Sequence, residues 1–197
     1  MRRIGVLALQ GDVREHSSML ERVGARVQWV RRPEHLAELD GLVIPGGEST
    51  TIAYLLTTSG LRDPLGVALG EGLPVFGTCA GLIMLACSVS DGRSDQWSYG
   101  RLDVAVRRNG YGRQVASFEA DVEVKGLGPV PGVFIRAPRI EGVGDDVHVW
   151  ASYDHGDGEH PVLVRQGSAW GCSFHPELTS DTRLHELFVG AVDEALR

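Results

Sequence analysis

Along the chain, short runs of consecutive apolar residues alternate with stretches in which apolar residues recur every three or four positions. "RIGVLAL" at 3–9 is nearly all apolar, the pattern of a strand buried on both faces of a parallel sheet. From Asp12 the period lengthens: Val13, His16, Leu20 and Val23 fall at helical steps, and Gly24 is placed to end the helix. "RVQWVR" is the next strand and "GLVI" at 41–44 another, leading into "PGGEST". Helices are expected from Ser49 to about Thr58 and over 62–71, then a buried strand "PVFG" and a helix "AGLIMLACSV". Strand and helix in such alternation predict an α/β domain with a mainly parallel sheet and right-handed connections.

Beyond residue 90 the pattern changes. "RLDVAVRR", "FEADVEV", "GVFIRA" and "VHVWASY" follow one another with no helical stretch between, which predicts antiparallel strands added to one edge or end of the sheet. The chain closes with "PVLVRQ", "AWGCSFHPE" and a helix that carries Leu184, Leu187, Phe188, Ala191 and Ala195 on one face. No repeat, low-complexity segment or linker divides the sequence, so residues 1–197 are read as a single domain.

Charge and cysteine content narrow the function. The net charge of −7, with arginines scattered in pairs such as Arg2-Arg3, Arg31-Arg32 and Arg107-Arg108, argues against a nucleic-acid partner. The apolar run after Arg2-Arg3 ends at Leu9, too short for a secretion signal or a membrane span, so no membrane association is expected. The three cysteines, Cys79, Cys87 and Cys172, include no CxxC pair, which suggests neither a disulfide framework nor a zinc site and fits a cytoplasmic protein. No metal or other cofactor is expected.

One cysteine stands apart. Gly77-Thr78-Cys79-Ala80-Gly81 has the GxCxG form of a nucleophile elbow, between a buried strand and an apolar helix. A nucleophile on so tight a turn has a strained backbone and needs neighbours with almost no side chain. The following helix start offers unpaired N–H groups that favour a thiolate and can receive an oxyanion. The alternative is a small buried hydrophobe, the fate of most free cysteines. Cys87, two turns along the same expected helix, and Cys172 are read as structural.

His175 is the histidine best placed to serve such a thiol. It follows a strand-like run and precedes Pro176, which biases it to an extended conformation. Glu177, two residues on, then lies on the same side and can fix the imidazole tautomer, which completes a Cys-His-Glu triad. Pro45-Gly46-Gly47 exposes unobstructed backbone N–H groups at the end of a buried strand; it suits an oxyanion site, although a plain strand-ending turn reads the same way.

With those residues in place, the sequence resembles the triad (class I) glutamine amidotransferases, and among them the glutaminase subunits of pyridoxal 5′-phosphate synthases. The resemblance covers nearly the whole chain and rests on "GVLALQGDVREH", "LDGLVIPGGESTT", "FGTCAGLIML", "RRNGYGRQVASFEADV", "GVFIRAP" and "GCSFHPEL". It implies a three-layer α/β fold, a mainly parallel central sheet flanked by helices with additional antiparallel strands. Cys79 would attack the side-chain amide of L-glutamine, His175 would shuttle protons and Glu177 would hold the ring. The Gly47 and Ala80 N–H groups would form the oxyanion hole. Gly46, Gly47, Glu48, Arg108, Ile135 and Arg136 would hold the glutamine, an arginine fork being suited to its α-carboxylate. Ammonia would pass to a (β/α)8 pyridoxal 5′-phosphate synthase subunit in a large hetero-oligomer. Gln10 and the start of the first helix would lie near the docking face, with the Gly47 peptide misaligned until docking. Departures from the family pattern fall in "SDGRSDQWSYGR" with Tyr99 and Arg101, at Ala116 and in "DHGDGEH", none of them in the triad. On the sequence alone, another acyl-transfer or amidotransferase role, a non-catalytic binding or regulatory module, and a cysteine peptidase or redox-stress protein remain as rival readings.

Overall fold

The computed structural model describes residues 1–93, 95–110, 117–156 and 158–196. The "GYGRQVA" stretch and its Ala116 departure therefore lie largely outside the described residues. Twelve strands are described: β1 (Arg3–Leu7), β2 (Arg26–Val30), β3 (Gly41–Ile44), β4 (Val75–Thr78), β5 (Ala86–Ser90), β6 (Leu102–Arg107), β7 (Ser117–Val124), β8 (Gly128–Ile135), β9 (Arg139–Val143), β10 (His148–Asp154), β11 (Glu159–Gln166) and β12 (Ala169–Cys172). The helices are α1 (Val13–Arg22), α2 (Ser49–Thr58), α3 (Arg62–Gly70), α4 (Ala80–Leu85) and α5 (Arg183–Ala195), with short 3₁₀ turns at Pro33–Leu36 and Pro176–Leu178.

A seven-stranded sheet in the order β10-β11-β12-β4-β3-β1-β2 forms the middle layer. The run from β12 to β2 is parallel, and β10 and β11 are antiparallel additions at one edge. Strands buried on both faces explain the unbroken apolar runs. Leu42 and Ile44 of β3 pack with α2, α3 and α4 on one side, while Val43 joins Ile4, Val6 and Phe76 against α1 and α5 on the other. Full burial of each such side chain contributes about 1.5–3 kcal/mol. The first face also carries the small sheet β5-β6-β9, and the second carries the β7-β8 hairpin.

Three expectations need correction. The helix beginning at Ala80 stops at Leu85, and "ACSVS" continues as strand β5, parallel to β6. Cys87 is therefore exposed on that strand and not a core residue of a helix. The small, largely exposed Cys87, Ser88 and Ser90 offer no apolar helical face beyond Leu85, so pairing with β6 takes over. The later strands also do not all extend the main sheet: only β10 does among those four segments, while β6, β7 and β8 form separate small sheets. Finally, the buried face of α5 is Leu184, His185, Phe188 and Val192, with Ala195 outside it.

The loop with Tyr99 and Arg101 folds back over α3 and α4. Tyr99 donates its hydroxyl to the Arg62 carbonyl at 3.1 Å, and the Arg62 guanidinium lies 4.3 Å from the centre of the Trp97 ring. That packing anchors the loop against α3.

Candidate active site

Four adjacent parallel strands, β12, β4, β3 and β1, end on the same side of the sheet, and each delivers part of one site. This is the carboxyl edge of the sheet, where open α/β folds bind ligands. β4 ends at Thr78 and passes to Cys79; β12 ends at Cys172 and leads to His175 and Glu177. Because Thr78 pairs with Cys172, and the Cys79 N–H donates to the Cys172 carbonyl at 2.9 Å, the segments that carry Cys79 and His175 leave the sheet side by side.

Cys79 has φ +50° and ψ −103°, the strained backbone of an elbow. The flanking glycines are required by close approach: a Cβ on Gly77 would sit 2.5 Å from the Gly81 carbonyl, and one on Gly81 would sit 2.0 Å from the Ile44 carbonyl oxygen. Cys79 is buried but lines a cleft of about 310 Å³, at the lower end of the range for small-molecule sites. The Sγ lies 3.9 Å from the Ile135 carbonyl oxygen.

His175 Nδ1 donates to Glu177 Oε1 at 2.8 Å and faces Asp12 Oδ2 at 3.2 Å, which leaves Nε2 for the thiol. Burial alone would lower the imidazole pKa. Hydrogen bonds with Asp12, Cys79 and Glu177 overcome it and push the ring up to about 12, so it is held as an imidazolium. Glu177 has no exposed side-chain surface. Burial would raise its pKa, yet His16 and His175 hold its carboxyl well below the usual carboxylate range. Asp12, His175 and Glu177 bring three potential metal-ligand atoms within 4.8 Å of one another, but the ring nitrogen already bonds both carboxylates, and the cluster reads as a hydrogen-bonded one.

Behind the triad runs a buried chain that sequence reasoning missed. His16 Nε2 contacts Glu177 Oε1 at 3.3 Å and Thr78 Oγ1 at 3.0 Å, and its Nδ1 meets His185 Nε2 at 3.0 Å. Thr78 Oγ1 also accepts from the Gly46 N–H at 3.1 Å, which ties the strand-ending glycine turn to the same network. A histidine at an apolar phase of α1 was the available signal for His16; Asp12 and His185 carried none beyond their residue types.

The residues expected to hold glutamine largely meet at the cleft. Gly47, Glu48, Arg108, Ile135 and Arg136 line it, as do Ala80 and Gln10. Gly46 lies behind them, buried, with its carbonyl accepting from the Asp12 N–H at 3.3 Å. The Ala80 N–H, at the first position of α4, has no acceptor within its helix. Glu48 accepts from the N–H groups of Thr50 and Thr51 as the N-cap of α2. Its Oε1 takes a bond from Arg108 Nη2 at 2.7 Å. Burial would raise the Glu48 pKa, but the Thr50 and Thr51 bonds hold it down to about 2. Its carboxylate thus orients Arg108. Gln10 points inward, its Oε1 accepting from the Glu48 N–H at 2.8 Å.

The chain is similar to known proteins along nearly its whole length. The profile of the SNO glutamine amidotransferase family matches residues 6–194. A protein of Streptomyces avermitilis named pyridoxal 5′-phosphate synthase subunit PdxT is 58% identical over 191 residues, covering 96% of this chain and 93% of the relative. One of the same name from Mycobacteroides abscessus is 56% identical over 190 residues, covering 96% of each. A crystal structure of a glutamine amidotransferase superposes with a TM-score of 0.89 at 50% identity, over 96% of this chain and 98% of that one. PurLQS from Thermotoga maritima superposes with a TM-score of 0.70 over 100% of this chain and 99% of the other, and at 17% identity that likeness concerns the fold alone.

Proposed function

The chain belongs to the SNO glutamine amidotransferase family, and from that membership we propose that Cys79, His175 and Glu177 are its nucleophile, proton shuttle and ring orienter. The chain is a glutaminase: it hydrolyses L-glutamine to L-glutamate and ammonia and supplies that ammonia for pyridoxal 5′-phosphate synthesis. It works with a synthase subunit.

The Cys79 thiolate attacks the side-chain carbonyl carbon of glutamine, and the negative oxygen that develops is received by the Gly47 and Ala80 N–H groups. The His175 imidazolium gives its Nε2 proton to the amide nitrogen. The C–N bond then breaks, ammonia leaves and a thioester remains. Neutral His175 takes a proton from an incoming water, the hydroxide adds to the thioester, and collapse releases glutamate with the thiolate and imidazolium restored. Glu177 stays ionised and holds the ring throughout. Arg108, oriented by Glu48, and Arg136 take the α-carboxylate, with Ile135 and the Gly46-Gly47-Glu48 turn shaping the cleft.

We extend the partner to a (β/α)8 subunit in a large hetero-oligomer, on the resemblance carried by the LQGDVREH and SFEADV runs. Gln10 is assigned to the docking region on the same ground. Three free cysteines suit a reducing cytoplasm, and among the described residues no helix is long and apolar enough to cross a membrane.

The observation that carries this reading is an imidazole held by a buried carboxylate at 2.8 Å and bonded to a cysteine on a strained strand-to-helix corner. Ammonia release from glutamine, measured with and without the synthase subunit, tests it. Release should rise with the partner present and vanish in Cys79→Ala, with partner binding intact. A Cys79→Ala protein that still hydrolyses glutamine overturns the assignment.

A further inference from the structure

We propose that Asp12 is a second positioning carboxylate for His175, one that shares the ring nitrogen with Glu177 and ties the catalytic base to the glycine turn of the oxyanion site. The inference rests on the assignment of His175 as the proton shuttle.

Two contacts of Asp12, an absent helix cap and the space left at Gly46 carry it. Asp12 immediately precedes α1, where an acidic side chain would ordinarily cap the helix, yet it makes no side-chain cap bond to α1. Its carboxylate instead reaches across to His175 Nδ1 at 3.2 Å. Its backbone N–H donates to the Gly46 carbonyl at 3.3 Å, so the same residue holds the turn that precedes Gly47. The glycine at 46 keeps the passage open, since a Cβ there would stand 2.3 Å from His175 Cε1 and 3.2 Å from Asp12 Oδ2.

The two carboxylates are not equivalent. Glu177 is sealed from solvent, whereas the Asp12 side chain is 32% exposed and lines the cleft. Glu177 therefore fixes the ring from behind, and Asp12 adds a negative charge on the side open to substrate and solvent. The charged and titratable groups facing the imidazole are Cys79 at the start of α4, Glu177 in the 3₁₀ turn and Asp12 before α1. His16 stands behind Glu177, and Glu48, Arg108 and Arg136 surround the cleft. Of these, Asp12 is the carboxylate whose charge can be removed without stripping the ring of its buried partner.

A negative charge beside an imidazolium disfavours loss of its proton. Asp12→Asn keeps the shape and an acceptor for Nδ1–H but deletes the charge. In the complex with the synthase subunit, the alkaline limb of the glutaminase kcat/KM profile, where the His175 imidazolium loses its proton, should then shift to lower pH by about one unit. Asp12→Glu should return the profile toward the wild-type position. Asp12→Ala should show the same displacement and lose about tenfold in kcat, because a contact that orients the ring is also gone. NMR titration of the His175 ring in the same proteins gives a readout independent of turnover, and its midpoint should fall in Asp12→Asn. A midpoint and a rate profile that both coincide with wild type overturn the role of Asp12. Activity retained in Cys79→Ala would instead overturn the triad, while the ring titration would still decide whether Asp12 acts on His175.

Discussion

His16 Nε2 lies 3.3 Å from Glu177 Oε1, and neither side chain exposes any surface to solvent. A carboxylate only accepts hydrogen bonds, so the proton of His16 must sit on Nε2. Nδ1 is then the acceptor for the His185 Nε2–H at 3.0 Å. A buried anion is tolerated only with such partners. His16→Leu should therefore destabilise the protein by about 2–3 kcal/mol, the loss expected for a hydrogen bond to a charged group, and lower kcat while leaving KM nearly unchanged. His16→Gln, which retains a donor, should recover part of both. Urea denaturation with steady-state kinetics checks this, and a His16→Leu protein as stable as wild type would contradict it.

The backbone at Cys79 yields a prediction that does not involve the thiol. At φ +50° and ψ −103° any side chain is strained, by roughly 1–3 kcal/mol. Glycine escapes that strain but loses more entropy on folding. Cys79→Gly should thus exceed Cys79→Ala in stability by about 1 kcal/mol, both being inactive. Thermal denaturation of the two variants decides, and equal midpoints would mean the corner stores no strain.

Much of this arrangement was legible before any coordinates. Strands β1, β3 and β4 are apolar on both faces, so local pattern was enough for each. Cys79, His175 and Glu177 carried their own local marks, the flanking glycines and the proline between base and carboxylate. What escaped is non-local. Whether "ACSVS" continues a helix or pairs as a strand depends on β6, which lies more than ten residues away. Asp12, His16 and His185 matter through contacts that span up to 169 positions, such as His16 to His185, and no window of sequence reports those.

Glycine 46 is a steric test of the site. Because its Cβ would fall 2.3 Å from His175 Cε1 and 2.8 Å from Nδ1, Gly46→Ala must displace the imidazole. A displacement near 1 Å costs on the order of a hundredfold in rate. Arg108 and Arg136 are not among the nearest groups a Cβ at Gly46 would meet, so KM should change little. Kinetics in the presence of the synthase subunit separate the two constants, and a large rise in KM with kcat preserved would relocate the effect to glutamine binding.

Glu48 joins helix capping to substrate binding. Glu48→Ala removes the cap of α2, which costs about 1 kcal/mol, and frees Arg108 from its 2.7 Å partner. KM for glutamine should rise because the guanidinium loses its fixed orientation. Calorimetric binding of glutamine to a Cys79→Ala background measures that loss without turnover, and unchanged affinity would remove Glu48 from the orienting role.

Stability should also depend on pH in a way that isolates His185. Burial presses the His185 pKa from 6.5 down to about 3, so the folded protein keeps it neutral where an unfolded chain would protonate it. The unfolded state then binds more protons between those values, and stability falls as pH falls below 6.5, by up to about 1.4 kcal/mol per pH unit. Glu177 adds to the loss only below its unfolded value of 4.5, because its folded pKa is depressed and its contribution is complete above that point. His175 acts at the other end: raised from 6.5 to about 12, it stabilises fully below 6.5 and that contribution is lost as pH rises toward 12. Between pH 6.5 and 4.5, His185 is therefore the member of this buried network whose titration steepens the fall. His185→Gln keeps a donor for His16 Nδ1 but cannot titrate, and should flatten the dependence of the unfolding free energy in that window. Denaturation curves recorded at successive pH values for both proteins give the two slopes directly, and parallel slopes would assign the acid sensitivity elsewhere.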